Sequence, residues 1–279
     1  MNSSESVTYH KHLIDCSKLI SPETPSTKGW LEGLKYLSTI PANKAKMTNK
    51  KILEGILQQR RHVVAKISNQ KEDLIKEYNI FLQLKKHNVT GIVHYYCYFE
   101  CDDDVSTIAE PLREADGTVC KGPGSTLRVL LMEYIRNKNL AEFHWKSTEP
   151  LIGCIKQVLY ISIDAFLKFG FVHGDLHCKN ILIKSTKQTE LNFRNFLSVP
   201  SYGFKVKLMD FELSKTHQNI TVFYKEIYYV FWTSVMRCFG EILDRKLLQN
   251  IFIKLEEQIN IATKPDDALQ ILQIINILS

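Results

Sequence analysis

Two carboxylates, one carboxamide and one amine stand out in this sequence because of the stretches that carry them. Asp175 and Asn180 share a short polar loop between the apolar runs Phe171-Val172 and Ile181-Leu182-Ile183. Asp210 ends the alternating run Lys205-Val206-Lys207-Leu208-Met209 and is followed by Phe211-Glu212. Lys66 lies in the β-branched run Val63-Val64-Ala65-Lys66-Ile67. A positioned carboxylate can take the proton of a hydroxyl. Carboxylate and carboxamide oxygens suit Mg²⁺ or Mn²⁺ rather than zinc. Such groups act only when a scaffold holds them in place, so the elements around them matter as much as the residues.

Those elements can be read in chain order. Residues 1–28 have little periodicity and read as a tail or strap. From 29 to 59, Leu31, Leu34 and Leu37 fall at helical spacing, as do Ile52, Ile56 and Leu57, with Lys44, Lys46, Lys50 and Lys51 between them. That lysine cluster reads as a solvated loop or as a basic flap near phosphates. Val63–Ile67 reads as a strand, and Lys71–Lys86 as an amphipathic helix carrying Glu72 and Glu77. Ile92–Phe99 is a strand, 100–126 a polar insertion with the turn signal Gly122-Pro123-Gly124, and Leu127–Ile135 a buried strand. Ile152–Gly170 has the makings of a core helix, a long polar stretch spans 184–204, and helical segments follow over Thr221–Leu243, Lys246–Ile261 and Pro265–Leu278.

With 279 residues, 44% of them hydrophobic, the chain can bury one sizeable core or two small lobes. Apolar runs fall short of a membrane span, and the polar start Met1-Asn2-Ser3-Ser4 does not read as a signal peptide. Seven cysteines without framework spacing imply reduced thiols and an intracellular setting, cytoplasmic or nuclear. Cys97, Cys101 and Cys120 near His94 fit no usual zinc spacing. The charge of +6 is spread along the chain, so it favours acidic partners only weakly and points to no nucleic acid or membrane surface. A monomer is expected.

The order strand Lys, Glu-bearing helix, hinge-like strand, His-x-Asp-x-x-x-x-Asn and Asp-Phe resembles the protein-kinase-like superfamily over about Val63 to Val235. The resemblance implies an α+β, bilobal fold: a small β-rich N-lobe over 29–135, including the insertion 100–126, and a helical C-lobe over 136–279, including the insertion 184–204. It implies that Lys66 contacts the α- and β-phosphates of ATP, with Glu77, or its rival Glu72, orienting the Lys. In Leu131-Met132-Glu133-Tyr134-Ile135, Met132 would be the gatekeeper, and the backbone of Glu133, Tyr134 and Ile135 would receive adenine. Asp175 would be the catalytic base, while Asn180 and Asp210 would hold Mg²⁺ or Mn²⁺. His173 would pack with Phe211 and Phe81. His177 stands where many Ser/Thr kinases carry Lys, and would touch the transferring phosphate or be solvated.

Four departures qualify the likeness. Gly-x-Gly-x-x-Gly is absent ahead of Lys66, Gly174 replaces the usual Arg, Glu212 replaces the Gly of Asp-Phe-Gly, and Ala-Pro-Glu does not follow. The Asp-Leu-His-x-x-Asn loop and the segment Val199-Pro200-Ser201-Tyr202-Gly203 look more like haspin-type kinases, which implies a basic protein substrate. The irregular N-lobe and short C-terminal region are similar to kinase-like proteins of large DNA viruses, which would act in the host cell. Three functions compete: an ATP- and Mg²⁺-dependent Ser/Thr protein kinase of divergent type, a phosphotransferase acting on a small alcohol, and a pseudokinase binding module.

Overall fold

Lys66 sits in the middle of a sheet. The computed structural model describes residues 35–36, 50–57, 61–68, 73–103, 125–136, 138–193 and 197–276. The chain is mixed α+β and divides into two compact units, Met1–Tyr78 with His94–Tyr134, and Asn79–Val93 with Ile135–Ser279. Asn79–Val93 thus clusters with the second unit although it lies between two parts of the first in sequence.

The first unit is built on an antiparallel five-stranded sheet. Its strands are β1 (Lys35–Tyr36), β2 (Lys50–Leu57), β3 (Arg61–Ser68), β4 (Tyr95–Asp103) and β5 (Ser125–Glu133), in the order β1-β2-β3-β5-β4. β3 is flanked along its length by β2 and β5, and Val63, Ala65, Lys66 and Ile67 on it are all buried. The helical spacing of Ile52, Ile56 and Leu57 is overridden here. These residues lie in β2, where the branched Ile52 and Ile56 suit a pleated ladder eight residues long. Of the basic cluster, Lys50 and Lys51 open that strand, and Lys44 and Lys46 lie outside the described residues, as do the leucines at 31, 34 and 37. β4 runs on into Asp102 and Asp103, so the polar insertion is entered on a strand. Helix α1 (Asp73–Lys86) follows β3; Leu74 and Tyr78 on it are buried, and Tyr78 stacks on Tyr98 of β4.

The second unit is organised by α2 (Thr148–Phe169). Its residues Leu151, Cys154, Ile155, Val158, Leu159 and Ile161 are buried, consistent with apolar side chains recurring on more than one face. α2 is long and apolar enough to cross a membrane by length and composition, contrary to the sequence expectation, yet 72% of that window is buried inside the protein. It stops at Gly170, whose φ of 72° favours glycine and whose missing Cβ would lie 2.4 Å from the carbonyl oxygen of His217. Short antiparallel pairs follow: β6 (Phe171–Val172) with β11 (Lys215–Thr216), β7 (Ile181–Ser185) with β10 (Phe204–Leu208), and β8 (Glu190–Phe193) with β9 (Leu197–Pro200). The stretch 184–204 therefore contains a hairpin of its own.

The chain closes with α3 (Ile220–Lys225), a wider π-helical segment over Glu226–Trp232, α4 (Thr233–Phe239), α5 (Arg245–Ile261), a 3₁₀ turn over Pro265–Leu269 and α6 (Gln270–Ile275). Phe223 stacks on Phe166 of α2 with centroids 4.5 Å apart, a contact worth roughly 1 kcal/mol beyond its burial. Buried Trp232 donates from its indole nitrogen to the Leu248 carbonyl at 3.2 Å, and Tyr224 donates to that of Asp267 at 2.7 Å. The expectation of reduced cysteines fails at Cys97, which is disulfide-bonded; Cys154, Cys178 and Cys238 are free.

Candidate functional site

A lysine in a strand can point to solvent from a sheet edge, but Lys66 lies on the central β3 and is buried. Its side chain is 8% exposed and its ammonium lies 2.7 Å from Glu77 Oε2, while the Glu77 side chain is 1% exposed. Burying a charge is costly unless it is paired, so the two side chains depend on each other. The other carboxylate oxygen of Glu77 accepts from the Tyr95 hydroxyl at 2.5 Å. Glu77 is thus the partner of Lys66, and Glu72 lies outside the described residues. Met132 and Glu133 are buried at the end of β5, and Tyr134 is half-buried beside them, with its ring edge-on to His62. Glu133 is fixed twice: its backbone N–H donates to the His94 carbonyl at 2.8 Å, and its Oε1 accepts from the His94 N–H at 2.9 Å. Ile135, the last of the hinge-like residues, is buried at the start of the second unit's second stretch.

In the second unit, β7 and β10 bring the other candidates to one end of a ladder. Ile181 pairs with Leu208, so Asn180 and Met209 occupy the next rung, where the Met209 N–H donates to the Asn180 carbonyl at 3.1 Å. Asp210 follows directly. The Asn180 carboxamide donates from Nδ2 to the Asp175 carbonyl at 3.0 Å and to Asp175 Oδ2 at 3.2 Å. That orients its Oδ1 away from Asp175. Asp210 holds φ of +66°, a left-handed conformation uncommon outside glycine, which Asp tolerates better than most residues. Phe211 behind it is fully buried, 5.5 Å from the His173 ring and 6.1 Å from Phe171.

His173 is structural in its contacts. Nε2 lies 2.9 Å from the Met209 carbonyl, and burial pushes the imidazole down to about 4. It is therefore neutral and donates from Nε2. His177 is half-buried, its Nε2 3.4 Å from Asp175 Oδ2, and its N–H donates to the Asp175 carbonyl at 2.9 Å.

Several residues that hold this loop were not singled out in the sequence. Glu226, 6% exposed at the start of the π-helical segment, accepts from the His173 N–H at 2.8 Å and the Gly174 N–H at 2.5 Å, and also from the backbone of Leu176. Burial pushes its carboxyl up to about 7 against the opposing pull of these amides. Ser214 donates to the His173 carbonyl at 2.8 Å, and the Cys178 N–H donates to Ser234 Oγ at 3.0 Å. Gly174 has φ of 83°, and a Cβ there would come within 2.3 Å of the Leu213 carbonyl oxygen. No side chain fits, which gives a physical reason for glycine at this position. A lone Glu among aromatics, or an isolated Ser, carries no pattern that would have flagged it in advance.

No family model matches this sequence, and no curated protein matches it.

Among the described residues, no three His, Cys, Asp or Glu side chains gather into an ion cage. A Mg²⁺ site needs none: this ion keeps several waters and takes one or two protein oxygens beside those of a phosphate. The donor set of Asp210 with Asn180 Oδ1 fits that chemistry, because Nδ2 is committed to Asp175.

Proposed function

We propose that this chain is a divergent protein kinase of bilobal fold, transferring the γ-phosphoryl group of ATP to Ser/Thr hydroxyls of a protein. The observation that carries the reading is the pinning of Asn180 Nδ2 to Asp175, which holds a carboxylate in place and leaves a carboxamide oxygen for a cation. The buried Lys66–Glu77 pair supports it. Phosphoryl transfer depends mainly on positioning and on neutralising charge, and these residues are of the types that do both. Lys66, held by Glu77, neutralises phosphate oxygens. Asp175 orients the acceptor hydroxyl and takes its proton. Asp210 and Asn180 would hold Mg²⁺, which supplies charge neutralisation on the phosphates.

One observation favours a second reading, a phosphotransferase acting on a small alcohol. The segment after Phe211 is short and stitched down: Ser214 and Leu213 abut the loop, β11 pairs with β6, and the His217 N–H donates to the Gly170 carbonyl at 2.7 Å. α3 begins at Ile220, so little chain remains for a peptide platform.

The deciding experiment follows labelled γ-phosphate from Mg-ATP into protein and into a panel of small alcohols. Asp175→Asn is expected to keep nucleotide binding and lose transfer by about a thousandfold, since it removes a proton acceptor and preserves shape. Label on protein supports the kinase, and label on an alcohol the second reading. Transfer by Asp175→Asn at the wild-type rate overturns the assignment of the base.

A further inference from the structure

Cys178 lies inside the Asp175–Asn180 loop, yet the phosphotransfer reading gives it no task. It is fully buried in the 3₁₀ turn Cys178–Asn180 and carries a free thiol. That thiol is within hydrogen-bonding reach of two side chains on α4, the Ser234 hydroxyl and the Cys238 thiol. Ser234 and Cys238 are four residues apart, on one face of the helix. The Ser234 hydroxyl also accepts the Cys178 N–H, which fixes turn and helix together. Cys238 is likewise free but only partly buried, so a small solute can reach it.

We propose that Cys178 and Cys238 form a peroxide-sensitive disulfide pair that ties the Asp175–Asn180 loop to α4. Their unequal surroundings assign the roles. Cys178 is fully buried and shielded, whereas Cys238 is only partly buried and meets the oxidant first. The Cys238 sulfur attacks one oxygen of hydrogen peroxide; an S–O bond forms, the O–O bond breaks, and the released hydroxide leaves as water with the thiol proton. Cys178 sulfur then attacks the Cys238 sulfur of the sulfenic acid. The S–S bond forms, the S–O bond breaks, and the departing hydroxide takes the Cys178 proton as a second water. Two thiols and one hydrogen peroxide thus give one disulfide and two waters, with two electrons passing from sulfur to oxygen.

A disulfide holds its sulfurs about 2.0 Å apart, well inside the distance of two touching thiols. Closing that gap draws the turn toward α4 and with it Asn180, whose carboxamide holds Asp175. The consequence for transfer rests on the phosphotransfer reading; formation of the bond does not.

The test treats the full chain with hydrogen peroxide and maps its cysteines by non-reducing digestion and mass spectrometry. The expected product is a peptide containing Cys178 joined to one containing Cys238, undone by dithiothreitol and absent from Cys238→Ser. Sulfinic acid at Cys238 with Cys178 still a free thiol overturns the proposal. In protein that transfers phosphate, oxidation should lower the rate by about a hundredfold, the order expected of an ångström-scale misplacement, and dithiothreitol should restore it. Cys238→Ser should keep its rate under peroxide. If the reduced protein transfers nothing, the phosphotransfer reading fails, and the cross-linked peptide still decides this one.

Discussion

Glu77 in the first unit and Glu226 in the second are both buried beside candidate reactive residues, and the two are satisfied in opposite ways. Glu77 faces a cation, Lys66, and a hydroxyl, Tyr95. Glu226 instead gathers backbone amides, from His173, Gly174 and Leu176. The first carboxylate neutralises a side chain, and the second replaces the hydrogen bonds of a loop that belongs to no ladder. A charge pair can be dissolved by removing both members. A carboxylate that serves the backbone cannot, because its partners are peptide N–H groups, which every residue but proline carries.

The comparison breaks or holds on substitution. Glu226→Ala leaves three loop amides without their acceptor and is expected to cost about 5 kcal/mol in unfolding free energy by urea denaturation. No second-site change among the side chains should recover it. Glu77→Ala removes the carboxylate 2.7 Å from the buried Lys66 ammonium and is expected to cost about 4 kcal/mol. Here the double variant Lys66→Met with Glu77→Leu should return most of that loss, since neither charge remains. Equal rescue at both glutamates, or at neither, would erase the distinction drawn above.

The smallest effect is a pH dependence. Glu226 folds with its carboxyl raised to about 7 from an ordinary 4.5, so the folded state binds that proton more tightly, and this contribution to stability is lost as pH rises from 4.5 to 7. His173 folds with its imidazole lowered to about 4 from 6.5, so its contribution is lost as pH falls from 6.5 to 4. Each swing is of the order of 3 kcal/mol, and they oppose each other between about 4.5 and 6.5. Wild-type melting temperature should therefore be nearly flat across that window. In Glu226→Gln it should climb with pH, which a series of thermal melts would show; a flat profile in the variant refutes the assignment.

What could be read in advance follows the same division. Lys66 was legible as a lysine in a branched strand and Glu77 as one of two acids on an amphipathic helix; their pairing, implied only by the resemblance, is seen in the structure at 2.7 Å. Asp175, Asn180 and Asp210 were legible because apolar runs bracket them. The helical spacing of Ile52, Ile56 and Leu57 misled, since short apolar runs fit either period and the neighbouring strand settles the matter. Glu226, Ser214 and Ser234 were not legible, because each bonds to backbone far away in sequence, and backbone carries no residue-type signature. Cys97 shows the same limit: its disulfide depends on spatial neighbours that spacing does not reveal.

The reach of Glu226 also sets a clock. It stands 53 and 52 residues beyond His173 and Gly174, whereas Glu77 follows Lys66 by only 11. On a ribosome adding about 5–20 residues per second, the nascent loop waits on the order of 3–10 s before its acceptor is even made. A chain stopped short of residue 226 would carry Lys66, Asp175, Asn180 and Asp210 and still lack the carboxylate that holds the Asp175–Asn180 loop.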